Sequence, residues 1–137
     1  MFHAVCISTL FAIGGQVSAD TDDTAKGEAL YLEHCASCHR KDGTGYVTAI
    51  PPLADSDYIA ADVRRLLAVT VDGLSGAVTV NGVRYEGVMP PQDQLSDEEL
   101  ATVLNYVALK WANSAREFTA QAVAAYRSGA SRKKPRR

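Results

Sequence analysis

Two cysteines three positions apart, followed at once by a histidine, set the strongest limit on how this chain folds: Cys35-Ala36-Ser37-Cys38-His39. On a helical turn each thiol can add to one vinyl group of a haem, forming two thioethers. The next residue is then carried under the iron, where an imidazole nitrogen coordinates it axially. Rival uses of the pattern fit less well. A zinc site needs a second pair of ligands at comparable spacing, and no cysteine follows residue 38. A thioredoxin-like redox pair belongs in a βαβ surround, whereas the flanking sequence has helical spacing. A plain disulfide between Cys35 and Cys38 leaves His39 without a role. The motif therefore predicts one covalent haem c with its iron, held through Cys35 and Cys38, with His39 as an axial ligand. Chain length agrees, because 137 residues make one small domain of modest core.

The first nineteen residues read as an export signal. Val5 to Ile13 is mostly apolar and uncharged, and Val17-Ser18-Ala19 supplies small residues for a peptidase cutting before Asp20. The apolar run is roughly half of the ~20 residues a bilayer span requires, so no transmembrane anchor is expected in the mature chain, and the expected location is the periplasm. Cys6 belongs to the removed segment. Charge is divided along the chain: five of the 14 basic residues fall in the last six positions, and all 16 acidic ones precede them. An acidic body with a short basic tail does not read as a nucleic-acid binder.

Along the mature chain, Ala25, Ala29, Leu30 and Leu32 predict a helix running into Cys35, capped by Asp23 or Thr24. Residues 40–57, with Gly43, Gly45, Pro51 and Pro52, read as loop. Ile59, Val63, Leu66, Leu67 and Thr70 repeat at helical spacing, and Gly73 is placed to end that helix. Asn81-Gly82 between Val78-Thr79-Val80 and Val83-Arg84-Tyr85 predicts a small hairpin at 78–85. Ser96-Asp97-Glu98-Glu99 is a capping box opening a helix with an apolar stripe of Leu100, Val103, Leu104, Val107 and Trp111. A Thr119 cap with Phe118, Ala122, Val123 and Tyr126 predicts a short accessory helix. The expected organisation is a signal peptide at 1–19, a haem domain at 20–113, an accessory helix within 114–129 and a disordered basic tail at 130–137.

A second axial ligand follows by elimination. His34 abuts Cys35 in the segment held against one haem face and reads as a solvent-exposed helix residue. Met89, fifty positions after His39, is the one methionine left after signal removal. It lies in Gly87-Val88-Met89-Pro90-Pro91, which predicts an irregular loop able to present a thioether.

These residues together resemble the class I mono-haem c-type cytochromes, bacterial periplasmic ones in particular. The resemblance runs from about Ala25 to Trp111. It rests on Gly27, Tyr31, the Cys35 to His39 motif, Asp42-Gly43, Pro51-Pro52-Leu53, Gly87-Val88-Met89-Pro90, and the helix with Leu100, Val103 and Tyr106. It implies an all-α fold whose first and last helices cross around the haem, with Gly27 allowing close approach to Tyr106. It also implies that the Pro51 carbonyl accepts a hydrogen bond from His39, which orients the ligand. The hairpin is absent from the smallest members and resembles the segment before the ligand methionine in cytochromes that accompany, or are fused to, dehydrogenases and copper nitrite reductases. The residues after Trp111 exceed the minimal fold.

The expected function is single-electron transfer between redox protein partners, with no catalysis of its own, by a monomer or a subunit of a complex. Two alternatives stay open. One is an electron-transfer subunit of a larger periplasmic oxidoreductase. The other is a haem enzyme or gas sensor with a labile sixth ligand, for which no distal His or Arg is in clear register.

Overall fold

The computed structural model describes residues 17–114 and 118–129. Most of the export signal expected at 1–19 and the basic tail expected at 130–137 lie outside them. Among the described residues, six helices and one two-stranded ribbon follow in order: α1 Val17–His34, α2 Ala36–His39, α3 Asp57–Ala61, α4 Arg65–Asp72, β1 Leu74–Val80, β2 Val83–Met89, α5 Asp97–Trp111 and α6 Ala120–Arg127.

α1 starts earlier than expected, and Asp23 and Thr24 are interior to it instead of capping it. No glycine or proline interrupts residues 17–24, so nothing breaks the hydrogen-bond ladder, and early acidic residues suit the positive end of the helix dipole. The single helix expected from Ile59 to Thr70 is two. Asp62 is extended between them (φ −161°, ψ 100°), and its carboxylate accepts hydrogen bonds from the Arg64 backbone N–H at 3.1 Å and the Arg64 Nε at 2.9 Å. A short acidic side chain that bonds its neighbour's backbone competes with helix continuation. Ile59, Leu66 and Thr70 are buried on the two short helices all the same. Gly73 ends α4 with φ 72°, a conformation that suits a residue without Cβ.

The ribbon is longer than the expected hairpin. Its register pairs Val80 with Val83 and continues through Val78 with Tyr85 and Gly76 with Gly87 to Leu74 with Met89. Asn81 and Gly82 have φ 52° and 75°, as a type I′ turn requires. The turn is tied to the start of α3: the Asp57 N–H donates to Asn81 Oδ1 at 3.0 Å, and the Asn81 N–H donates to Asp57 Oδ1 at 2.8 Å. Pro90 stops the ribbon because it has no N–H to give.

α5 opens on the complete capping box, with Ser96 accepting from the Glu99 N–H and Glu99 accepting from the Ser96 N–H. Its buried face packs on α1 at Gly27, where a Cβ would lie 2.6 Å from the Tyr106 Cβ. Close approach of the two helices therefore depends on that glycine. Tyr31, Leu100 and Val123 are fully buried, and the rings of Tyr31, Tyr106 and Trp111 pack edge to face or tilted at 5.0–6.1 Å. α6, through Val123, and Phe118 just before it also pack on the core that α5 contributes to. The Asn105 amide pins Phe118, donating to its carbonyl at 2.8 Å and accepting from its N–H at 3.0 Å.

Candidate haem site

The chain turns sharply at the motif. Cys35 stands between α1 and α2, its N–H donating to the Tyr31 carbonyl at 2.9 Å while its own carbonyl accepts from the His39 N–H at 2.9 Å. One short helical turn therefore carries Cys38 and His39. Cys38 is exposed and Cys35 half-buried, and no disulfide joins the two. Burial, with Cys38 nearby, pushes the Cys35 thiol up to about 11, so it is protonated at neutral pH in the polypeptide alone.

His39 is 8% exposed. Its Nδ1 donates to the Pro51 carbonyl at 3.2 Å, which leaves the other ring nitrogen for a metal. Burial lowers its pKa, partly opposed by the bond to Pro51. Neutral imidazole, the form that coordinates iron, is thereby favoured. The loop that presents Pro51 is held at several points. The Gly43 carbonyl accepts from the Leu53 and Ala54 N–H groups at 2.7 and 3.0 Å, and Tyr46 and Ile50 exchange backbone bonds at 2.9 and 2.8 Å. The Tyr31 hydroxyl donates to the Arg40 carbonyl at 2.6 Å.

Cys35, Cys38, His39, Pro51 and Met89, all singled out in the sequence, line one cleft of about 470 Å³, within the roughly 300–1,000 Å³ range of cofactor sites. Met89 reaches it differently from the loop expected, since it is the last residue of β2 and pairs with Leu74. The ribbon lines the cleft with the cross-strand pairs Leu74/Met89, Gly76/Gly87 and Val78/Tyr85. Large pairs therefore flank a glycine pair, and the row is hollow in the middle. His34 also departs from expectation: at the end of α1 it is half-buried and lines the cleft. Gln92 and Gln94, absent from the sequence reading, complete the wall after Pro91. Their signal was weak, because two glutamines after a pair of prolines resemble any surface turn. No Asp, Glu, Lys or Arg is among the lining residues, and Val88 at the cleft is 79% exposed.

This donor set fits a haem. It offers two thiols on one turn, an imidazole oriented through its second nitrogen, a thioether from a separate segment, and an apolar cleft that the protein's own side chains leave open. Among the described residues there is no cluster of three or more His, Cys, Asp or Glu to hold a bare metal ion. No helix among them is long and apolar enough to cross a membrane.

Comparison with known proteins agrees with this chemistry. The family model described as Cytochrome c matches residues 24–110. Two cytochromes c-552 of Thermus thermophilus are similar to the chain. One is 38% identical over 81% of this chain and 78% of its own length, and the other is 39% identical over 72% of this chain and 82% of its own. The cytochrome c subunit of a quinone alcohol dehydrogenase of Gluconobacter oxydans is 32% identical over 74% of this chain, which spans only 22% of that longer subunit.

Proposed function

Because the chain belongs to the cytochrome c family, and so carries covalent haem c and transfers electrons, we propose that it is a mono-haem carrier whose iron is held by His39 and Met89. Bound haem supplies a one-electron couple between ferric and ferrous iron. The chain does the rest. Cys35 and Cys38 tether the group, and His39 is aimed by Pro51. Met89 would be the second ligand to its iron, leaving no place for a substrate, so that electrons alone would pass. A thioether favours the ferrous state, so Met89 raises the reduction potential. The observation that carries this reading is the convergence of the Pro51-anchored His39 and Met89, fifty residues apart, on one cleft.

Electrons leave by brief encounters with redox protein partners at the cleft mouth, where the lining is uncharged and Val88 is exposed. Such encounters need only a small, weakly held contact. A second reading, electron transfer as a subunit of a dehydrogenase complex, is supported by the similarity to the alcohol dehydrogenase subunit. The chain is exported to the periplasm and cut after Ala19. Intact mass of the purified protein tests the tether and the cut together. After denaturation and acid-acetone extraction, the mass expected is that of the chain from Asp20 plus one haem. Loss of haem to the solvent contradicts the thioethers, and a heavier polypeptide contradicts the cut.

A further inference from the structure

We infer that α6 is a brace for the segment that presents the sixth ligand, with Tyr126 and Arg127 as its positioning residues. The inference rests on the proposed ligation by Met89.

Met89-Pro90-Pro91 lies hard against Gly73, where a Cβ would come within 2.7 Å of the Met89 carbonyl oxygen and 3.1 Å of Pro91 Cδ. Consecutive residues of α6 grip the chain on either side of that contact. Before it, the Tyr126 hydroxyl donates to the Asp72 carboxylate at 2.6 Å. After it, the Arg127 guanidinium donates to Asp97 Oδ1 at 2.6 Å, to the Leu95 carbonyl at 2.8 Å and to the Gln92 carbonyl at 3.3 Å. The two flanks are also joined directly, the Gln92 N–H donating to the Thr70 carbonyl at 2.8 Å. α6 can bear this load because Val123 is buried against the core and Asn105 fixes Phe118 at its start.

Residues 90–96 have no helix or strand of their own. The Gln92 and Leu95 carbonyls therefore depend on Arg127 for charged donors, and an Arg fork holds such acceptors in one geometry. A thioether is a neutral, soft donor. It stays on iron to the extent that the chain keeps it there, so the opening frequency of its segment sets how often the ligand leaves.

The test is the rate at which carbon monoxide binds the reduced haem protein, read with amide hydrogen exchange at Gln92. Arg127→Gln is expected to speed both by about tenfold, the change for losing a charge-assisted bond worth at least one decade in equilibrium. Tyr126→Phe is expected to speed both by a smaller factor, and Arg127→Lys to restore part of the wild-type rate. Val103→Ala, a core truncation outside the cleft lining, is expected to lower the melting temperature without altering the rate. If Arg127→Gln does not fold, Tyr126→Phe decides. Wild-type rates and Gln92 exchange in the folded variants overturn the brace, as does equal acceleration in Val103→Ala. A wild-type protein that lacks the far-red sulfur-to-iron band overturns Met89 ligation and the brace with it. A wild-type band with unchanged variants overturns the brace alone.

Discussion

At His39, two influences act in opposite directions. Burial disfavours the imidazolium, and the Pro51 carbonyl favours a proton on Nδ1. Their combination leaves a neutral ring with one nitrogen occupied and the other available, which is the state a metal ligand needs. Met89 has no comparable preparation of its own charge, and its contribution comes from position. Met89→Ala is expected to leave the haem attached, because the thioethers do not involve it. The potential is expected to fall by on the order of 100 mV, a fraction of the ~0.8 V that axial ligands span. A potentiometric titration checks this, and an unchanged potential rules Met89 out as a ligand. The sequence made the motif residues legible because covalent attachment demands fixed spacing. It left His34 illegible, because the exposure of a residue at a helix end depends on what lies beside it in space, and the end of α1 borders the cleft.

Among the elements, those with local stop and start chemistry could be read from the chain. Asn81-Gly82 fixed a turn type, and with it a register that runs outward to Leu74 and Met89. The length of the ribbon was hidden because Gly76, Ala77, Glu86 and Gly87 are poor strand formers. The break at Asp62 was hidden because an apolar period continues across it. Gly27→Ala places a Cβ against Tyr106 and the Thr102 carbonyl. It is expected to destabilise the protein by about 1–3 kcal/mol, as overpacking does, and a denaturant titration measures it. The capping box of α5 gives a pH signature. Bonds from Ser96 hold the Glu99 carboxyl below its ordinary range, so its folded pKa lies under its unfolded one. Its contribution is then complete above the unfolded pKa and is lost as pH falls through the folded value. Glu99→Gln is expected to flatten the acid side of a stability-against-pH curve, and Ser96→Ala to cost about 1 kcal/mol at neutral pH. An unchanged acid slope in Glu99→Gln would remove the carboxylate from the cap.

As a whole the molecule is a small helical core with one wall left open. α5 packs on α1 and on α6, while the ribbon and the motif helix line a shared cleft. The family resemblance made this division legible from the order of weak motifs. The grip of α6 was not, since Tyr126 and Arg127 find their partners 54 and 30–35 residues away in the chain. A core this small gains much of its buried apolar surface from the haem. The chain with Cys35→Ala and Cys38→Ala is therefore expected to be largely unfolded, and a cooperative thermal transition with native helical circular dichroism would contradict that. Whether the iron is closed at both axial positions decides between a carrier and an enzyme or sensor. The most direct measurement is the far-red absorption of the oxidised wild-type protein, followed by exposure of the reduced form to carbon monoxide. A weak sulfur-to-iron charge-transfer band, with gas binding slow or absent, is the result expected of a carrier with Met89 bound. Absence of the band with rapid binding of the gas would mean an iron open at rest, and would contradict the carrier.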